Sequence, residues 1–227
     1  MTVLALALLA ALVGAQEAQV LKTQKDRVSY SFGVDVVRNF KRQGIEVDAD
    51  LLLKGIRDAL SGANLLMTDD EIRKTIVTFQ AEMKQKRNKA RATLAKDAEE
   101  NKKEGDALLA ENRTKEGIVT LQSGLQYKIL RMGDGKRPTE ADTVEVNYRG
   151  TLINGTEFDS SYRAGQPATF TVKGVIPGWR EALKLMPVGS KWQLFVPSHL
   201  AYGPRGMPPN IGPNATLIFE IELLAIK

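Results

Sequence analysis

No proline occurs before Pro138, and all nine prolines of the chain lie from there onward. A stretch free of proline can run as uninterrupted helix, whereas closely spaced prolines force turns and chain ends. Both tryptophans, Trp179 and Trp192, fall in the proline-bearing part as well. The step predicts a helical first part and a second part of strands and turns. With 227 residues the chain has room for one large or two small domains.

The helical part divides further. Val28, Phe32, Val36, Val37 and Phe40 share one face of a first helix that Gly44 ends. Asp48 is placed to cap a second helix carrying Leu51, Leu52, Ile56, Ala59 and Leu60, with Gly62 beyond it. Thr68 and Glu71 make a capping box that opens a third helix. Its apolar stripe, Ile72, Ile76, Phe79 and Met83, thins after Lys84 to Ala90, Leu94, Ala98, Leu108 and Leu109. From Thr68 to Asn112 there is no proline, and Gly105 is the one glycine. Such a helix would be ~65 Å long at about 1.5 Å per residue. A helix polar all round is a solvated spacer or is not stably helical. Lys84, Lys86, Arg87, Lys89 and Arg91 read as its solvated face, with anion contact as the alternative.

The second part alternates. Leu125 to Arg131 reads as its first strand, after a linker. Val144, Val146 and Tyr148 take one side of another strand, Trp192, Leu194 and Val196 of a third, and Leu217, Phe219, Ile221 and Leu223 of a fourth. Asn154-Gly155 predicts a hairpin with a type I′ turn. Val175-Ile176-Pro177-Gly178-Trp179 opens a short helix, since proline suits its first turn. Trp179, Ala182, Leu183 and Met186 form its apolar face, which must pack on the sheet. The Asn-x-Thr triplets at Asn112, Asn154 and Asn214 read as turn chemistry.

Composition narrows the chemistry. The chain has no cysteine, so thiolate nucleophiles, disulfides and cysteine-bound metals are excluded. His199 is the one histidine, which argues against a histidine triad or a histidine-rich metal site, and it reads as a surface residue. A net charge of +5, with acids interleaved among the bases, does not point to nucleic acid. Residues 2–13 are almost wholly apolar yet too short to span a bilayer. With Val13-Gly14-Ala15 behind them they read as a secretory signal cut after Ala15, although no basic residue precedes the apolar run. The alternative is a buried N-terminal helix.

Five ordered motifs carry a resemblance. They are Val144-Glu145-Val146-Asn147-Tyr148-Arg149-Gly150, Gly155-Thr156-Glu157-Phe158-Asp159-Ser160-Ser161, Val175-Ile176-Pro177-Gly178-Trp179, Leu200-Ala201-Tyr202-Gly203 and Asn214-Ala215-Thr216-Leu217-Ile218-Phe219. Together this set resembles an FKBP-type peptidyl-prolyl cis-trans isomerase domain. Asp106-Ala107-Leu108-Leu109-Ala110-Glu111-Asn112 and Ser123-Gly124-Leu125-Gln126-Tyr127 are similar to the macrophage infectivity potentiator (Mip) subgroup, which carries an N-terminal dimerisation domain.

The resemblance implies an α+β chain. A signal peptide (residues 1–15) precedes a helical dimerisation domain (16–67), a long connecting helix (68–114), a linker (115–124) and an isomerase domain (125–227). That last domain would be a five-stranded antiparallel sheet curled around the short helix. The implied catalytic positions are Tyr148, Phe158, Asp159, Trp179, Tyr202 and Phe219, with Val175, Ile176 and Ile211 binding substrate. Trp179 would be the floor of a proline pocket, and Tyr148, Phe158 and Phe219 its walls. The Tyr202 hydroxyl and the Ile176 N–H would donate to substrate carbonyls, and Asp159 would face the twisting amide. Without the family, Trp179, Phe158 and Phe219 read as core, Asp159 as a turn residue and Tyr202 as a loop tyrosine.

The implied partners are proline-containing unfolded or partly folded proteins, macrolides such as rapamycin and a second copy of the chain. No cofactor or metal is implied, and the implied location is the periplasm or cell envelope. Ala168, Met207, Asn210 and the pair Arg163-Ala164 depart from the commonest family pattern, which bears on macrolide affinity and on the residue preferred before proline. Two rival readings are a holdase or peptide-binding module with little turnover, and an adhesive spacer.

Overall fold

A computed structural model describes residues 21–227. The expected signal peptide and its cut site lie outside the described residues. The described residues form two compact units, divided between Val77 and Thr78.

In the first unit, α1 (Gln24–Arg42) begins at Thr23, whose hydroxyl accepts from Asp26 N–H while the Asp26 carboxylate accepts from Thr23 N–H. Helix α2 (Ala49–Ser61) begins at Asp48, whose carboxylate accepts from Leu51 N–H at 2.9 Å, and ends at Gly62 with φ 68°. Neither helix buries a residue. Helix α3 (Asp69–Asn112) opens on the expected capping box: Glu71 accepts from Thr68 N–H at 2.8 Å. The division between the units falls within α3, at Val77/Thr78.

The second unit holds one antiparallel sheet. Its strands are β1 (Ile118–Thr120), β2 (Gln126–Arg131), β3 (Thr143–Leu152), β4 (Glu157–Ser160), β5 (Ala168–Thr171), β6 (Lys191–Val196) and β7 (Leu217–Ile226). The order is β1-β2-β6-β7-β3-β4, with β5 also paired to β3. Strands β4 and β5 bond to opposite ends of β3, Arg149–Thr151 and Thr143–Val146, so they share one edge position. The antiparallel sheet expected is present, with seven strands where five were expected. Strand β1 adds a sixth position from within the stretch 115–124 that was expected to be a linker. Two further helices are short, α4 (Ser161–Ala164) and α5 (Pro177–Leu183).

Period-2 alternation placed the core correctly. Val144, Val146 and Tyr148 of β3, Trp192, Leu194 and Val196 of β6, and Leu217, Phe219, Ile221 and Leu223 of β7 are all buried. They meet Trp179, Ala182 and Leu183 of α5 and Met186 just beyond it. The β3–β4 hairpin forms, but its turn is not type I′. Gly155 has φ 83°, whereas Asn154 keeps a negative φ. Gly155 N–H donates to Leu152 O at 3.0 Å, and Leu152 N–H to Thr156 O at 2.9 Å. That is a three-residue loop with glycine in the left-handed position, and a separate register shift between Gly150 and Thr151 leaves Phe158 as an extra residue in β4. Asn154 instead uses its side chain, accepting from Thr156 N–H at 3.0 Å.

Candidate active site

Strand β3 brings Tyr148 to the inner face of the sheet, and the β3–β4 hairpin folds Phe158 and Asp159 back beside it. Strand β7 supplies Phe219 and α5 supplies Trp179. The segment leading into α5 supplies Val175 and Ile176, and the loop after β6 supplies Tyr202. These eight residues line a cavity of about 290 Å3, together with Phe170, Gly174 and Met207. Of the residues expected from sequence, Ile211 is the exception. It is buried in the core, paired across two backbone hydrogen bonds with Met207, and Met207 is the one at the cavity. Phe170 escaped the sequence reading, which attended to Ala168. The alternation Ala168, Phe170, Val172 was the available signal.

The aromatic geometry is ordered. Tyr148, Phe170 and Phe219 have ring centroids 5.1, 5.8 and 5.2 Å from Trp179, at 83°, 89° and 82° to its plane. Three rings standing edge-on to one indole make walls on a floor, and edge-to-face contact is a favoured arrangement for such rings. Phe158 stands at 88° to Phe219. Gly150 makes room for this pair, since a Cβ there would lie 2.7 Å from Phe158 and 2.8 Å from Phe219. Trp179 is 4% exposed, and its buried Nε1 meets no acceptor among the described residues.

Few polar groups enter this apolar space. The Tyr148 hydroxyl donates to Asp159 Oδ2 at 2.6 Å, and Asp159 Oδ1 accepts from Ser160 N–H at 2.9 Å. Arg163 stands 4.0 Å from the same carboxylate, so a basic partner is retained one place before Ala164. Burial, and secondarily the Asp159 hydrogen bond, raises the Tyr148 phenol above its ordinary range. Burial and then the Asp159 charge also raise that of Tyr202. Both phenols thus stay protonated as donors across neutral pH. The Ile176 N–H has no acceptor among the described residues. His199 is exposed and lies outside the cavity, with Nε2 3.0 Å from Ser123 O. No group of three or more metal-ligating carboxylate or imidazole side chains occurs among the described residues.

A short helix held by a curled antiparallel sheet, with an aromatic cavity between them, defines the FKBP class of proteins. The chain belongs to the FKBP-type peptidyl-prolyl cis-trans isomerases. The profile of that family matches residues 135–224, and that of the domain amino-terminal to it matches residues 25–129. The chain is 53% identical over 215 residues to the outer membrane protein MIP of Legionella longbeachae, covering 95% of this chain and 91% of the relative. It is 44% identical to the peptidyl-prolyl cis-trans isomerase Mip of Coxiella burnetii, over 94% of this chain and 91% of that one. The crystal structure of FkpA from Escherichia coli superposes with a TM-score of 0.63 at 38% identity, covering 91% of this chain and 98% of that one.

Proposed function

We propose that the chain accelerates X–Pro isomerisation in exported proteins as they fold, by binding the twisted amide in the aromatic cavity. The observation that carries this reading is the set of three rings standing edge-on to Trp179. Unaided rotation about an X–Pro bond faces a barrier of ~20 kcal/mol and takes tens of seconds. That barrier is amide resonance, and water bonded to the carbonyl oxygen strengthens the resonance. A water-poor aromatic cavity strips the oxygen of water and still holds the proline ring when the amide twists. Catalysis is then complementarity to the twisted state, with no proton transfer required. In this reading Trp179 is the floor, Tyr148, Phe158, Phe170 and Phe219 are walls, and Val175 flanks the ring. Tyr202 Oη and Ile176 N–H donate to substrate carbonyls, and Asp159 faces the twisting bond.

The chain further acts as a homodimer in the periplasm or cell envelope. Support for the dimer comes from the apolar faces of α1 and α2, where Phe32 is 69% and Leu60 84% exposed. Support for export comes from the apolar run at residues 2–13 and from the Legionella longbeachae relative, which is called an outer membrane protein. The same exposed faces favour a second reading, a holdase with little turnover. Turnover of a proline-containing tetrapeptide separates the two. The expected outcome is rapid isomerisation, lowered about fivefold in Tyr202→Phe, since one hydrogen bond is worth about 1 kcal/mol net. Asp159→Ala and Trp179→Ala should lower it further. Unchanged turnover in all three folded variants would remove the site assignment.

A further inference from the structure

The Tyr202 hydroxyl has no hydrogen-bond partner among the described residues, whereas Asp159 fixes that of Tyr148. The position of Tyr202 is therefore set by its packing against the core and by the backbone of its own loop. That loop leaves the cavity at Gly203 and returns at Asn214, and its neck is closed by Asn214 N–H donating to Gly203 O at 2.9 Å. Within it, Met207 N–H donates to Ile211 O at 2.8 Å and Ile211 N–H to Met207 O at 3.0 Å. The result is a compact loop with joined ends. Anything that moves the neck moves Tyr202 on one side and Met207 on the other, and both line the cavity.

The neck is gripped from outside by α3. Asn214 is the one described non-glycine residue with positive φ, 56°, a conformation asparagine tolerates better than most. So turned, its Nδ2 donates to Ala98 O at 3.3 Å. The adjacent Pro213 O accepts from Asn101 Nδ2 at 2.9 Å. One turn further along the same stripe lies Gly105, the only glycine of α3. Glycine disfavours helix, but here it is buried against Thr216, and a Cβ would stand 2.3 Å from Thr216 Oγ1. Ala98, Asn101 and Gly105 thus form one helix stripe seated on the segment 213–216, and the lone glycine permits the approach.

We propose that Asn214 is a positioning residue for catalysis. It joins α3 to the neck of the loop that presents Tyr202, so the last turns of α3 belong to the catalytic apparatus and are more than a spacer. This rests on the reading of Tyr202 as a donor to substrate. Asn214→Gly is the variant of choice, because glycine accepts the positive φ and only the side-chain link to Ala98 is lost.

The test measures kcat/KM on a proline-containing tetrapeptide for the full chain, Asn214→Gly, Tyr202→Phe and the double variant, with thermal unfolding alongside. The expected result is a fall of about threefold in Asn214→Gly, a fraction of what one whole hydrogen bond is worth, and no further fall when it is added to Tyr202→Phe. A contribution made only through the tyrosine hydroxyl must vanish with that hydroxyl. Unchanged kcat/KM in Asn214→Gly, while Tyr202→Phe is slowed, overturns the proposal and leaves the site reading standing. An Asn214→Gly loss that persists undiminished in the double variant overturns it too, because the side chain then acts on stability or on another group. Full activity in Tyr202→Phe overturns the site reading and this proposal together. Should Asn214→Gly fail to fold, Gly105→Ala lifts the helix from Thr216 and is judged by the same two comparisons.

Discussion

From Leu21 to Glu104 no residue is buried, whereas from Leu125 to Leu223 a continuous apolar core closes around Trp179. Both regions announce their secondary structure clearly in sequence. The helical unit has the caps, the apolar stripes and the terminal glycines that helices need. Its first two helices bury none of their residues. The catalytic unit buries its stripes against one another. Local signals make an element, and burial makes it stable, and the two are independent. The exposed stripes of the first unit are what the proposed second copy would cover, whereas the second unit covers its own.

The largest effect should come from striking that difference directly. Phe32→Asp or Leu60→Asp puts a charge on the apolar face of α1 or α2. Light scattering should then give the mass of one chain in place of two. Tetrapeptide turnover should stay unchanged, because the cavity lies wholly in the second unit. Acceleration of a protein whose refolding is limited by a prolyl bond should fall, because a monomer offers only one site to each client. A dimer mass in both variants would mean that α1 and α2 are not the interface.

Acid titration should reach both regions, since hydrogen bonds from Thr139 lower the Asp142 carboxyl of the second unit, whereas the phenols raised among the described residues belong to the second unit. Hydrogen bonds from Thr23 and Thr68 lower the carboxyls of Asp26 and Glu71. Groups lowered on folding stabilise above their ordinary range and lose that contribution as pH falls through the folded value. The phenols of Tyr148 and Tyr202 are raised above 10.0, chiefly by burial. A phenol raised on folding stabilises below its ordinary value and loses that contribution as pH rises toward the folded one. Tetrapeptide turnover should therefore be flat from about pH 6 to 9 and decline only on the alkaline side beyond the ordinary phenol range. An alkaline limb centred near neutrality would show that the donor is not a buried tyrosine.

What the sequence made legible follows the same physics. The strands of the second unit and the apolar face of α5 were readable because each stripe is long enough to establish a period. Strand β1 was not, since Ile118-Val119-Thr120 spans too few residues to alternate, and its pairing with β2 comes from the turn at Ser123-Gly124. The cavity was readable through an ordered set of motifs, and eight of the nine expected residues line it. Ile211 is buried and Met207 lines the cavity, a distinction that a tight loop without a strand period does not announce. Gly105 was visible as an anomaly in a long helix, but its cause, Thr216, lies far along the chain and no local pattern names it.

The smallest expected effect tests whether the two regions are thermodynamically separate. Asp48 caps α2, and among the described residues its carboxylate makes no hydrogen bond or ion pair outside that helix. Asp48→Ala should cost about 1 kcal/mol, the usual worth of such a cap, and Asp48→Asn should restore most of it because asparagine caps as well. The chain carries its own reporter for where that loss is felt. Both tryptophans, Trp179 and Trp192, are buried in the second unit, so their fluorescence follows that unit alone. Far-ultraviolet circular dichroism sees α1, α2 and α3 as well. In urea unfolding, Asp48→Ala should move the dichroism transition to lower denaturant and leave the fluorescence transition where it was. Coincident transitions that shift together would mean that the whole chain unfolds as one cooperative block. The exposed helices would then draw stability from the core they do not enter, and the contrast between the two regions would be one of burial only.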